Sequence, residues 1–154
     1  AYTISLKMLR DAEDAEDAAQ ESFIRAYESI GSFKGNGKFS TWLYTIVYRT
    51  CLRYIKRNKT IQLNNEEETL TADDQIPVIE RLQNDEQSRY IAKAINELPP
   101  IESLLITLYY MNESSVREIC EITGLSAANI KIQLFRARKR LEKKLSCLIT
   151  KPAK

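Results

Sequence analysis

Histidine is absent from the 154-residue chain, which also has only three cysteines, four glycines and four prolines. Without His the commonest general base is missing, which weighs against a hydrolase triad. Cys51, Cys120 and Cys147 lie far apart among apolar neighbours. With no close Cys pair and no His, a zinc site is not expected. The expectation is three buried, reduced cysteines of a cytoplasmic protein, with no metal and no cofactor. No apolar run approaches the roughly 18 residues of a membrane span, and no signal-peptide pattern opens the chain. Scarce Gly and Pro beside plentiful Leu, Ile, Ala, Glu, Lys and Arg favour helices over an all-β design.

Charge is present in blocks. The net +2 resolves into −4 over residues 1–33, +7 over 34–59, −7 over 60–87 and +6 over 88–154. An apolar fraction of 44% suffices for packed cores, although two domains of half this length would each be small. The expected fold is all-α: two small helical domains, 1–59 and 88–150, joined by a flexible acidic linker, 60–87.

In the first domain, Ile4 and Met8 mark a short helix ending near Leu9. It has neither a capping residue nor an initiating Met, and we read the chain as lacking its natural start. "DAEDAEDAAQESFIRAYESIGSF" forms a second helix with the stripe Ala15, Ala18 or Ala19, Phe23, Ala26 or Tyr27 and Ile30. Its early acids suit the positive end of the helix dipole, and Gly31 fits its stop. "KGNGK" is a loop. Ser40 or Thr41 can cap a third helix, "TWLYTIVYRTCLRYIKRN", with Leu43, Ile46 or Val47, Thr50 and Tyr54 inward. Residues 58–87 show no sustained period and contain Pro77, which reads as mostly irregular.

The second domain opens with "SRYIAKAINELPP", a helix with Ile91, Ala94, Ile95 and Leu98 inward and a proline stop. The apolar helix "IESLLITLYYM" follows. Ser114 or Ser115 can then cap a short helix carrying Val116, Ile119, Cys120 and Ile122. Gly124 ends that helix in the left-handed turn that glycine permits. Leu125 plugs the corner, and Ser126 caps "AANIKIQLFRARKRLEKKL". A short helix, a tight glycine turn and a longer basic helix make a helix-turn-helix.

The second helix of such a motif enters the DNA major groove. Asn129, Lys131 and Gln133 lie off the Ile130–Leu134 stripe near its start, and these residue types can pair with base edges. Arg136, Arg138, Lys139 and Arg140 continue where phosphates would pass, though Arg138 can instead snorkel along the core. In the first domain, Phe33, Phe39, Trp42, Tyr44, Tyr48 and Tyr54 interleave with the +7 block. Aromatic faces among cations hold unstacked bases. Helical spacing assigns Phe39, Leu43 and Ile46 to the core, and leaves Trp42 open between the two roles.

"AEDAAQESFIRAYESIGSFKGNGKFSTWLYTIV" resembles region 2 of the extracytoplasmic-function (ECF) group of bacterial sigma factors. "LPPIESLLITLYYM…VREICEITGLSAANIKIQLFRARKRL" resembles their region 4. The resemblance covers nearly the whole chain, in order, with the linker in place. It implies a non-catalytic subunit that directs core RNA polymerase to promoters. Docking on the polymerase clamp helices would fall on Glu16, Asp17, Gln20, Glu21 and Phe23, with Arg25 nearby. Melting of the minus-10 element and capture of a flipped base would fall on the loop Phe33–Lys38, including Lys34, Asn36 and Lys38, with Phe39 and Trp42 beside it. Arg49, Arg53, Lys56 and Arg57 would follow the DNA backbone, and the linker would thread the RNA-exit path. Region 4 would bind the polymerase flap with its earlier helices and the minus-35 duplex with residues 129–138, Phe135 among them. An anti-sigma partner is a further implication. Arg49 stands where the family often has Asn, and Ile132 and Gln133 where it often has Arg or Ser, so the promoter bases stay open. A sigma-like decoy for an anti-sigma protein and a dimeric helix-turn-helix repressor are the alternatives. A nucleic-acid enzyme would need a ligand or nucleophile cluster that the sequence does not show.

Overall fold

The computed structural model describes residues 1–64 and 86–149, and every regular element within them is helical. The chain divides into two compact units, residues 1–77 and 78–154. The expected linker lies outside the described residues over 65–85.

Unit 1 contains α1 (Tyr2–Leu9), α2 (Ala12–Glu28), a 3₁₀ turn (Ile30–Ser32) and α3 (Phe39–Asn64). Asp11 starts α2 by accepting a hydrogen bond from the Asp14 backbone N–H at 2.8 Å, which satisfies one orphan amide of the first turn. The three helices pack pairwise. Ala15, Ala18, Ala19 and Ala26 of α2 are buried against Ile4, Leu6 and Met8 of α1 and Val47, Tyr48 and Cys51 of α3. Small side chains on α2 let the larger core residues of α1 and α3 close on it.

Several sequence expectations are corrected here. The inward position after Ala19 is Ser22, fully buried with its Oγ donating to the Ala18 carbonyl at 2.6 Å. Phe23, Tyr27 and Ile30 are exposed; Ser22 satisfies its hydroxyl within the helix and therefore fits where Phe23 would be too large. Helix α2 stops at Glu28, and Gly31 lies inside the 3₁₀ turn without a positive φ. Ser40 and Thr41 fall inside α3, which starts at Phe39, and Thr41 is buried rather than capping. Phe39 is exposed, and Val47 supplies the core position offered to Ile46 or Val47. Helix α3 also runs on to Asn64, because residues 59–64 contain neither Gly nor Pro to stop it.

Unit 2 contains α4 (Glu86–Asn96), α5 (Pro100–Ile106), a π-helical turn (Thr107–Met111), α6 (Val116–Thr123) and α7 (Ala127–Ile149). Pro100 sits at the first position of α5, where its missing N–H costs nothing. Ser115, not Ser114, caps α6 in a capping box: its Oγ accepts from the Glu118 N–H, and Glu118 accepts from the Ser115 N–H at 2.7 Å. Gly124 follows at φ 73°, a left-handed turn that a side chain would strain. Ser126 Oγ accepts from the Asn129 N–H at 3.2 Å and caps α7. Helix α7 packs against α4, α5 and α6. Its Ile130, Leu134 and Ala137 meet a core of Ala94, Ile95, Leu98, Leu104, Leu105, Leu108, Ile119 and Ile122. Ile91, expected inward, is exposed, since Ala94, Ile95 and Leu98 already fill the face that α4 turns to its neighbours. The cysteines are all free, but only Cys51 is buried; Cys120 is half-buried and Cys147 is exposed, lining a groove between α7 and α4 with Tyr90 and Ala94.

Lys7 of α1 is a charged group in a desolvated place. Burial, aided by the like charge of Arg10, brings its pKa from the ordinary 10.5 down to about 8. The unfolded chain then binds more protons than the folded one between pH 8 and the ordinary lysine range, so this residue makes stability rise with pH in that window. Below it, the desolvated ammonium is a cost. Lys7→Met should raise the thermal midpoint at pH 7 by a few degrees and flatten that rise relative to the parent chain, as read by melts at a series of pH values.

Candidate nucleic-acid interface

The loop between the 3₁₀ turn and α3 is closed by three rings. Phe33, Phe39 and Trp42 lie with all three centroid pairs at 5.5 Å, Phe33 edge-on to Phe39 and the other two pairs tilted. Such spacings are favourable for aromatic pairs, worth about 0.5–1.5 kcal/mol each beyond burial. Phe39 is 47% exposed, and Phe33 and Trp42 are half-buried. Lys34, Asn36 and Lys38 are exposed beside them, and Gly35 takes φ 71° to turn the chain. Sequence spacing left Trp42 open and placed Phe39 in the core; the fold puts both in one surface cluster.

Farther along α3, Arg49, Arg53, Lys56 and Arg57 are exposed. They are not equivalent. Arg53 Nη2 lies 3.0 Å from Glu21 Oε1 on α2, and Arg25 Nη2 lies 2.9 Å from the same oxygen. Arg57 lies over the Tyr54 ring at 5.2 Å, and Asn58 donates to Asp14 at 2.8 Å. The acid-rich face of α2 therefore neutralises part of the basic face of α3. Of the remaining α2 candidates, Glu16, Asp17 and Gln20 are exposed, with Gln20 donating to Glu16 at 3.5 Å, and Phe23 projects at 56% exposure.

On α7, the buried seam turns Asn129, Lys131, Phe135, Arg136 and Lys139 outward, while Gln133 is half-buried. Arg138 is engaged inside the unit: its Nε donates to the Tyr110 hydroxyl at 2.6 Å, and its guanidinium lies over the Tyr109 and Tyr110 rings at 5.9 and 5.6 Å. Arg140 lies 3.6 Å from the buried carboxylate of Glu102, and Lys144 pairs with Glu97 at 2.5 Å. The sequence allows Arg138 to snorkel, but carries no signal for the tyrosine pair that holds it, Tyr110 being 28 residues away.

Residues 1–61 match the family Sigma-70 region 2, and residues 88–141 match Sigma-70, region 4. The chain is 37% identical over 153 residues to the ECF RNA polymerase sigma factor SigW of Bacillus subtilis, covering 94% of this chain and 82% of that one. It belongs to the ECF group of sigma-70 RNA polymerase sigma factors. The ECF RNA polymerase sigma-E factor of Haemophilus influenzae is 34% identical over 146 residues, covering 88% of this chain and 77% of its own. In fold the chain is similar to the sigma factor RpoE of Bartonella quintana, solved with the anti-sigma factor NepR, at a TM-score of 0.69 and 23% identity over 94% of this chain and 89% of that one. Sigma factors are DNA-binding transcription-initiation factors. The ring cluster, the α3 cations and their α2 partners all fall within the region 2 match, and α6, the Gly124 turn and α7 as far as Leu141 within the region 4 match. Among the described residues, no helix is long and apolar enough to cross a membrane.

In this sigma factor, desolvation alone would raise the Glu21 carboxyl, but hydrogen bonds from Arg25 and Arg53 outweigh it and hold the pKa below the usual glutamate value. Arg53→Ala should therefore move the Glu21 titration upward toward that value in a carbon-detected NMR titration, at a stability cost of under about 1 kcal/mol. An unmoved titration would contradict the helix-to-helix pairing.

Proposed function

We propose that this sigma factor divides promoter recognition between its two units, with region 2 holding unstacked minus-10 bases and region 4 reading the minus-35 duplex. The observation that carries this reading is the exposed Phe33–Phe39–Trp42 cluster at a glycine turn, flanked by Lys34 and Lys38. Melting needs no catalytic side chain, and the protein acts as a non-enzymatic, cytoplasmic subunit. It needs a site that favours unstacked bases over stacked ones, at a few kcal/mol per flipped base. Aromatic faces supply such a site at about 1–3 kcal/mol per stacked base, and neighbouring lysines hold the backbone.

In this reading Arg49, Arg53, Lys56 and Arg57 track phosphates, a role that carries no sequence information of its own. The face of α2 with Glu16, Asp17, Gln20, Glu21 and Phe23 docks on the clamp helices of core RNA polymerase. Exposed Phe23 supports it, because a large apolar side chain projecting among acids suits a partner surface that is basic and partly apolar. The flap of the polymerase takes the earlier helices of unit 2. Asn129, Lys131, Gln133, Phe135, Arg136 and Lys139 face the minus-35 duplex, and Arg138 contributes by fixing α7 against Tyr110 as well as by its charge. An anti-sigma factor is a further partner of the family kind that accompanies RpoE in its co-crystal structure. The path of residues 60–87 along the RNA exit concerns a segment mostly outside the described residues.

The test is transcription in vitro with purified core polymerase and a genomic DNA library. Specific run-off transcripts are expected only when the sigma factor and the core enzyme are both present. Promoter-specific binding to a palindrome without polymerase would favour a dimeric repressor instead. Lys131→Ala and Arg136→Ala should each weaken minus-35-dependent initiation about tenfold while core binding stays intact; loss of core binding would contradict the division of labour. Gly35→Ala, which forces a side chain into φ 71°, should slow open-complex formation more than closed-complex binding. Equal effects on both steps would remove the melting role from the loop.

A further inference from the structure

The centre of the outward face of α7 is not charged. Directly opposite the buried seam, Ile132 is 51% exposed, with Phe135 three residues on at 58%. Residues three and four apart share a helix face, so Asn129 and Arg136 border Ile132, and Lys131 lies on its flank. A single exposed apolar residue is ordinary on a protein surface. Here it occupies the position most directly facing whatever α7 faces, between groups suited to base edges and phosphates. Ile also gains nothing for the helix at a solvated position, where its branched side chain lowers helix propensity. Phe135 already carries Lys139, whose Nζ lies 5.9 Å from its ring centroid. That leaves Ile132 as the apolar group presented at the middle of the face.

The major-groove edges of the four base pairs offer donors and acceptors and one apolar group, the C5 methyl of thymine. A stiff, β-branched side chain loses little rotamer freedom on meeting such a methyl, so the contact needs no rearrangement of the helix. We infer that Ile132 reads a thymine methyl group in the minus-35 duplex and thereby sets the base preference at that position. The inference rests on the proposed role of α7 and names what the centre of that helix recognises.

The test uses holoenzyme assembled from the full chain and core polymerase, with promoter duplexes selected by that holoenzyme from a random library. Each minus-35 thymine is replaced in turn by deoxyuridine, which pairs identically and lacks only the methyl. At one position the replacement should lower promoter occupancy about three- to fivefold, the effect of one buried methyl. Ile132→Ala should lower occupancy on the thymine promoter by a similar factor and show no further loss with deoxyuridine at that position. Ile132 is exposed, so an unchanged thermal midpoint confirms that the variant is folded. If no thymine methyl matters, or if the deoxyuridine loss persists in Ile132→Ala, the inference is overturned. A loss that disappears in Phe135→Ala but not in Ile132→Ala assigns the methyl to Phe135 and overturns it equally. The underlying reading fails separately, if Lys131→Ala and Arg136→Ala leave occupancy unchanged on every promoter.

Discussion

Burial of Ile130, Leu134 and Ala137 decides how α7 is rotated about its own axis, and the rest of unit 2 is arranged around that choice. Each of the larger two contributes about 1.5–3 kcal/mol by leaving water, which no single surface contact of the helix can match. Turning α7 by one residue would expose that seam and bury Lys131 or Arg138. The cations are therefore displayed because the apolar side has nowhere else to go. The capping box at Ser115, the turn at Gly124 and the cap at Ser126 then set the angle at which α6 delivers the helix. The outward face of α7 is thus set mainly by the buried seam, with Arg138 on Tyr110 adding a tether from the polar side.

Unit 1 solves a different problem, because its basic helix packs on its acidic one. Pairing Arg53 with Glu21 offsets charge across the seam between α2 and α3, and the Asn58 amide donates to the Asp14 carboxylate there. These exposed pairs add little stability. Their consequence is electrostatic: the same carboxylates that face a polymerase surface in the proposed reading also damp the field of cations that face DNA. Free and polymerase-bound chains then present different fields to a promoter, and the difference is largest at low ionic strength.

Element types and their order were legible in the sequence, and the helix-turn-helix nearly to the residue, because Ser115, Gly124 and Ser126 are local signals. Facing was less legible. Phe23 satisfies the helical period of a core stripe, yet Ser22 holds the buried position, and on α3 Val47 is buried where the period offered Ile46 or Val47. Period identifies a face to within about one residue, and the neighbour's size decides which residue fits. The Arg138–Tyr110 contact and the Arg53–Glu21 pair were invisible for a simpler reason: each joins residues about 30 positions apart. Even so, Ile132 could have been found beforehand, since it lies opposite the Ile130–Leu134–Ala137 seam. The polar Lys131 and Gln133 sit on the flanks of that face.

The ring cluster constrains how region 2 can hold a base. Phe33, Phe39 and Trp42 already contact one another, so a base that displaced a ring would lose contacts of about 0.5–1.5 kcal/mol per pair before gaining any. Stacking returns about 1–3 kcal/mol, and displacement would consume much of it. Adding a base to the open face of Phe39 forfeits nothing. The rings of the free chain then serve as a prebuilt wall, and Gly35, by turning the loop without a side chain, leaves the approach to that wall clear. A rigid wall cannot pull a stacked base out of a duplex; it can only hold one that thermal opening has released. In the proposed reading, the selectivity of such a site lies in which base steps open readily and how long the wall retains them, while duplex position is set elsewhere, by α7 against the minus-35 element.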